Sequence, residues 1–231
     1  MSTTPQQAHT PDPTPRPYPP PARTEPQWPA LLTVLAAIAL QFSLPSRLVL
    51  GPSWLAPALE VALLIGLALA SPMELEGEHP IRRGVALGLT ALVSVSNVVS
   101  LGLLTHYLLH HGSPNGRELI TSGALIWLTN VLIFALWYWE TDRGGPGRRA
   151  AGNDQPPDFL FPQMSDDDIE PREWRPQFID YLYVSLTNAT AFSPTDTMPL
   201  TGSAKGIMGL QALVSLVTIG LIISRAVNVL G

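Results

Sequence analysis

Oxygen-bearing side chains set among apolar residues carry what chemistry this 231-residue chain offers. Glu60, Asn97, Asn130, Gln211, Ser215, Thr218 and Arg225 fall inside long Leu-, Val-, Ile- and Ala-rich runs, and Thr190, Ser193, Pro194, Thr195 and Asp196 make a polar stretch between two such runs. A carboxylate at the centre of a membrane helix costs roughly 2.5 to 3.5 kcal/mol. Glu60 therefore either faces a polar interior or lies close enough to the boundary to stay hydrated. Other chemistries have no basis in the sequence. With no cysteine there is no thiolate nucleophile, no cysteine metal ligand and no disulfide. Neither a Gly-x-Ser-x-Gly setting within an apolar run nor a His-Glu-x-x-His pattern occurs, so catalysis is not expected. The adjacent His110 and His111 point different ways, and Glu74, Glu76 and Glu78 at every second position cannot share a helical face. No metal site and no cofactor are expected.

The elements that hold these residues are helices in a membrane. Only 13% of the residues are charged, against about 25% in an ordinary soluble domain. The windows 30–44, 54–71, 84–108, 119–139 and 206–223 contain almost no charge, and most reach the ~18 residues that a membrane span requires. The net charge of −5 excludes the basic face that a nucleic-acid partner would need. A single lysine against twelve arginines, with abundant Ala, Gly and Pro, points to a GC-rich bacterial genome and so to a bacterial inner membrane.

Residues 1–29 carry ten prolines, which remove backbone donors and forbid helix. The tail reads as disordered and solvated, with PxxP-like spacing that could dock on an aromatic groove. It has no apolar core of the kind a secretory signal contains. Trp28 to Leu44 is the first expected span and Trp54 to Ala70 the second, followed by a solvated loop over 71–83. In the third, Ala86, Thr90, Ser94 and Asn97 recur at steps of four, four and three and share one face, a pattern that lets helices pack closely. The fourth, Leu119 to Trp139, ends in Trp137-Tyr138-Trp139, which reads as an aromatic belt at the water boundary. The segment 140–176 reads as a flexible acidic loop with Asp166-Asp167-Asp168 and no core of its own, although Phe159 to Pro162 could lie against the membrane or plug a vestibule.

From Gln177 the pattern is helical, with Phe178, Leu182, Leu186 and Ala189 on one expected face and Asp180, Tyr183, Thr187 and Thr190 on the other. This helix stops at Ser193-Pro194. About 15 residues at ~1.5 Å each give ~22 Å, too short for a ~30 Å hydrocarbon core. It is therefore re-entrant or interfacial. Non-helical backbone at membrane depth survives only where protein buries it or water reaches it, so a re-entrant loop must line a cavity. In the last span, beginning near Lys205, Gln211, Ser215, Thr218 and Arg225 form one stripe at steps of four, three and seven. That seam faces either a pore axis or a neighbouring helix.

Trp127, Asn130, Phe134, Tyr138, Asp158-Phe159-Leu160-Phe161-Pro162, Asp180 to Tyr183, Thr190, Asp196, Ser215 and Ala226-Val227-Asn228, in that order, resemble a family of bacterial membrane proteins of unknown function. More distantly, the chain is similar to the two-helix pore domain of potassium channels. Asp196, Pro199 and Thr201 align with that family's Gly-Asp-x-x-Pro-x-Thr, and residues 190–195 fall on its filter signature without the filter glycines. The resemblance implies cation coordination by the hydroxyls of Thr190, Ser193 and Thr195 and by the Asp196 carboxylate, without potassium selectivity.

These readings together predict an all-α integral membrane protein with about five transmembrane helices and a short pore-helix-like segment before the last. The expected divisions are a tail at 1–29, a four-span region at 30–139, a loop at 140–176, and the half-helix, polar loop and final span at 177–231. The expected function is a channel-like pore module; the alternative is a non-conducting scaffold or sensor that binds a partner through its tail or acidic loop. Expected partners are the lipid bilayer, further copies of the chain around an axis, and a monovalent cation. With five spans the tail and the segments 71–83 and 140–176 share one side and carry nine of the thirteen basic residues, which assigns that side to the cytoplasm. Channel kinship would put 140–176 outside.

Overall fold

The computed structural model describes residues 25–52, 54–70, 80–110, 116–150, 155–164, 174–190 and 197–230. Their helices are α1 (Trp28–Phe42), α2 (Leu55–Ala70), α3 (Pro80–His110), α4 (Gly116–Thr141), α5 (Pro146–Ala150), α6 (Phe178–Thr190) and α7 (Gly202–Leu230). Two-residue strands β1 (Phe159–Leu160) and β2 (Met198–Pro199) pair antiparallel, with Phe159 opposite Pro199 and Leu160 opposite Met198. Prolines set several boundaries. Pro29 and Pro80 sit in the first turns of α1 and α3, where a missing N–H costs nothing. Pro45 follows the end of α1, where Ser43 folds its hydroxyl back to the Ala39 carbonyl at 2.9 Å.

Three stretches are long and apolar enough to cross a membrane: Arg82–His110, Gly116–Gly144 and Gly202–Val227. α2 follows its expected span to within one residue, α1 ends two residues early and α3 starts earlier than expected. α3 begins at Pro80, so the end of the expected 71–83 loop is helix, while α1 has 15 residues and α2 has 16. At ~1.5 Å per residue the last two measure only ~22 and ~24 Å.

α4 is the axis of the bundle, packed most extensively on α7 and α6 and then on α3 and α1. Side-chain contacts fix the direction of every neighbour. At one end, called here the near end, Glu25 meets Arg149, Gln27 meets Arg82, and Thr201 meets Asp158, whose backbone N–H donates to Asp142. At the far end Arg47 pairs with Glu118 and lies over the Tyr107 ring, 4.8 Å from its centroid. α1, α3 and α7 thus run from near end to far, and α4 runs back.

Two cores follow from this arrangement. One, toward the near end, joins Val34, Leu89, Phe134, Tyr138, Phe159 and Tyr181; the other, at the far end, joins Leu44, Leu48, Leu104, Leu119 and Ile126. Apolar side chains also cover the outside. Leu210, Leu213, Leu216, Val217, Ile223 and Val227 of α7, and Leu32 and Leu35 of α1, are exposed. An apolar exterior around a core containing polar groups is the arrangement that lipid demands.

Three expectations are corrected. Tyr138 and Trp139 do not form a boundary belt: they are buried, because their polar atoms find partners inside the protein, Gln211 and Glu25 respectively. The segment after α4 does contribute to a core, since Phe159 and Phe161 are buried and meet the Tyr181 ring edge-on. The buried face of α6 is partly rotated from the expected apolar one: Phe178 and Ala189 are buried as members of it, but Leu186 is exposed, and Tyr181, Val184 and Ser185 turn inward. Asp166 to Asp168 lie outside the described residues.

α4 and α7 approach closely at Gly123, where an added Cβ would sit 2.6 Å from Cγ1 of Ile222. Gly123→Ala is therefore expected to destabilise the bundle by about 1–3 kcal/mol, the usual cost of overpacking. Combining it with Ile222→Ala should restore most of the loss, as read by the thermal midpoint of the detergent-solubilised protein. A single-variant midpoint equal to that of the unaltered chain would show that the helices slide apart freely.

Candidate functional site

α6 is a half-length helix alongside α4. The Tyr181 hydroxyl at its start donates to Asp142 Oδ2 at 2.6 Å, Ser185 donates to the Val131 carbonyl at 2.6 Å, and the Trp127 indole N–H reaches the Ala189 carbonyl at 3.4 Å. Its axis therefore runs antiparallel to α4, from the near end to about the middle of that helix. By Thr197 the chain is back near its starting level, because β2 pairs with β1 and the Leu200 N–H donates to the Asp158 carbonyl at 2.8 Å. The last carbonyls of α6, the negative end of its dipole, lie level with the centre of α4.

A polar seam ties α6 to both long neighbours. The Gln211 amide donates to the Ser185 carbonyl at 2.9 Å and to its hydroxyl at 2.7 Å, while its oxygen accepts from Asn188 at 2.8 Å and from the Tyr138 hydroxyl. Asn188 also donates to the Met208 carbonyl at 3.0 Å. One turn deeper, Asn130 donates to the Ser215 hydroxyl at 3.0 Å. Every atom of the Gln211 amide group is thus used within the chain. Polar groups that would be costly against lipid become specific contacts between helices.

At the near end a second network fixes the root of the seam. Glu25 takes Arg149 in a two-pronged pair, both contacts at 2.9 Å, and also accepts from the Trp139 indole at 3.0 Å. Arg149 donates to the carbonyls of Trp139 and Asp142, each at 2.7 Å, and lies 5.4 Å from the Tyr181 ring centroid. Burial opposes the charge on Arg149, but the Glu25 hydrogen bond and the charges around it outweigh burial and raise its pKa, so it stays a cation. Asp142 accepts from the Asp158 N–H at 2.8 Å, and Asp158 accepts from the Arg143 N–H at 3.0 Å and the Thr201 hydroxyl at 2.5 Å. α4 ends here through Arg143, Gly144 and Gly145, all at positive φ; the φ of 103° at Gly145 suits glycine alone.

The polar residues singled out from sequence separate into groups. Asn130, Gln211 and Ser215 come together in the seam, and Thr218, also buried on that stripe, donates to its own helix at the Val214 carbonyl at 2.7 Å. The stripe of α7 thus faces neighbouring helices of the same chain, with Arg225 half-buried farther along. Asn97 is buried at the wall of an apolar crevice of about 270 Å³ between α3, α4 and α7. Glu60 is buried on α2, away from the seam. Thr190 is the last residue of α6 and donates to the Thr187 carbonyl at 3.0 Å. Ser193, Pro194, Thr195 and Asp196 lie outside the described residues. Among the described residues no group of three or more His, Cys, Asp or Glu side chains could hold a metal.

Sequence reasoning missed Ser185, Asn188, Tyr138, Glu25, Asp142, Arg149 and Asp158 as parts of the networks. One signal was present: Tyr181, Ser185 and Asn188 recur at steps of four and three, the spacing of a helical face. Comparison with models of protein families, with curated proteins and with solved structures returned no match.

Proposed function

We propose that this chain is a multi-pass protein of the bacterial inner membrane carrying a channel-like module, in which α6 re-enters the membrane from the near end and favours a monovalent cation at mid-depth. The observation that carries the reading is the half-helix, which ends level with the middle of α4 before the chain returns to the near end. A helix C-terminus carries roughly half a negative charge, so its position favours cations. The hydroxyls of Thr190, Ser193 and Thr195 and the Asp196 carboxylate then supply oxygen ligands, and α1 and α2, at opposite ends of which the chain meets the near and far ends of the bundle, complete five crossings where the bilayer thins beside them. One half-helix cannot encircle an axis, so the path lies between copies of the chain. The stripe of α7 is spent on internal hydrogen bonds and does not line that path. The near end carries most of the basic residues and faces the cytoplasm in this reading.

Asp196→Ala is expected to lower cation flux at least tenfold in vesicles reconstituted with purified protein, a loss of about 1.4 kcal/mol or more in barrier terms. The chain has no native cysteine, so single cysteines at Thr190 and Thr195 should react with an impermeant thiol reagent from one side only, more slowly when a permeant cation is present. Unchanged flux in Asp196→Ala together with cation-insensitive labelling would sink the channel reading. It would favour a second one, a non-conducting scaffold, which is supported by the closed polar seam and by the Glu25–Arg149 pair at the root of the Pro-rich tail.

A further inference from the structure

The α1–α2–α3 side of the bundle contains a carboxylate that no network uses. Glu60 is fully buried within the chain, and neither of its oxygens has a hydrogen-bond partner of normal geometry among the described residues. The Ser96 side chain of α3 faces it. Ser96 also borders a cavity of about 170 Å³, lined further by Gln41 of α1, Pro57 of α2 and Ser100 of α3. Pro57 precedes Glu60 by three residues and so shares its helix face. The Gln41 amide nitrogen donates to the Val93 carbonyl at 3.2 Å, which leaves the amide oxygen as an acceptor. The cavity has room for water, which needs only about 10–15 Å³ of probe-occupied space.

Ionised, Glu60 would be an unbalanced charge. An ionised carboxylate taken out of water without a donor or cation costs several kcal/mol. The described lining from α1, α2 and α3 presents Gln41, Ser96 and Ser100 as its polar side chains and no titratable or charged one. Among the described residues neither Glu60 oxygen has a hydrogen-bond partner of normal geometry, so a proton or a bound cation is what would offset its charge.

We propose that Glu60 is an intramembrane monovalent-cation site, taking a proton or Na⁺ at its carboxylate, with the Ser96 hydroxyl beside it and the neighbouring cavity, bordered by Ser96, as its store of water. Carboxylate and hydroxyl oxygens suit a hard cation, and intramembrane carboxylates are the groups on which proton and sodium relays are built. The site shares no residue with the α4–α6–α7 seam, so it stands or falls independently of the re-entrant reading.

The test uses the full chain in membrane vesicles and a lipid-soluble carbodiimide, which adds across a protonated carboxyl from within the bilayer and leaves a stable acylurea. Peptide mass spectrometry is expected to find one added reagent on the peptide carrying Glu60, at least tenfold more at pH 5 than at pH 9, and none in Glu60→Gln. Protection by NaCl but not by choline chloride identifies Na⁺ as the cation; pH dependence without NaCl protection identifies the proton. Labelling that does not vary with pH would overturn the proposal, as would no labelling of Glu60 at any pH. Equal labelling by a membrane-impermeant, water-soluble carbodiimide would also overturn it, because Glu60 would then be a hydrated boundary residue.

Discussion

Arg149→Met is expected to be the most damaging single substitution in the near-end network, costing about 3–5 kcal/mol, the range for removing one partner of a buried ion pair. The Arg149 side chain is 5% exposed and its partner Glu25 is 16% exposed. Removing the guanidinium leaves the Glu25 carboxylate without its two-pronged donor and the Trp139 and Asp142 carbonyls without theirs. The double variant Arg149→Met with Glu25→Gln removes both charges and should recover part of the loss. Thermal midpoints of the four proteins in one detergent, read as a double-mutant cycle, measure the coupling. A coupling below about 0.5 kcal/mol would mean that the pair behaves like an ordinary exposed salt bridge.

Gln211→Leu is expected to cost about 2–4 kcal/mol, because it orphans several groups at once and each buried unsatisfied group costs about 1–3 kcal/mol. The Ser185 carbonyl and hydroxyl lose a donor, and Tyr138 and Asn188 lose the oxygen to which both donate. Apolar gain cannot compensate, since leucine already meets lipid equally well outside the bundle. Gln211→Glu separates shape from chemistry. It keeps the acceptor for Tyr138 and Asn188 but loses the amide donor, so it should fall between the parent and the leucine variant. The measurement is again the thermal midpoint, accompanied by proteolysis between Thr190 and Thr197, which should accelerate if α6 loosens from α7. A leucine variant as stable as the parent would mean that α6 is held by apolar packing alone.

Most helices were legible in the sequence because they are written in long apolar runs that only a helix can satisfy in lipid. α3, α4 and α7 follow those runs closely. α6 was legible as a short helix because Ser193-Pro194 interrupts its pattern, but its orientation was not. Apolar periodicity ranks Leu182 and Leu186 as the inward face, whereas in a membrane the groups that gain from burial are those that need partners, here Tyr181, Ser185 and Asn188. The segment after α4 misled for a related reason. Its composition is that of a loop, yet Asp142 and Asp158, 16 residues apart, and Glu25 and Arg149, 124 apart, organise it through pairings that no local pattern records. Glu60 was visible at once as an anomaly, and the packing of α2 on α3 buries it within the chain.

The unequal lengths of the helices carry a consequence for the surrounding lipid. α1 and α2, with 15 and 16 residues, present leucines outward on one side of the bundle, while the apolar stretch of α3 runs for 29 residues and that of α7 for 26. At ~1.5 Å per residue the short pair and the long helices differ by about 15–20 Å in length. A bilayer of uniform thickness cannot match both. With α1 and α2 taken as crossings, as proposed above, the leaflets pinch beside the short pair or the long helices lean. In that reading the acyl-chain length of the host membrane becomes a variable that acts on the protein's tilt.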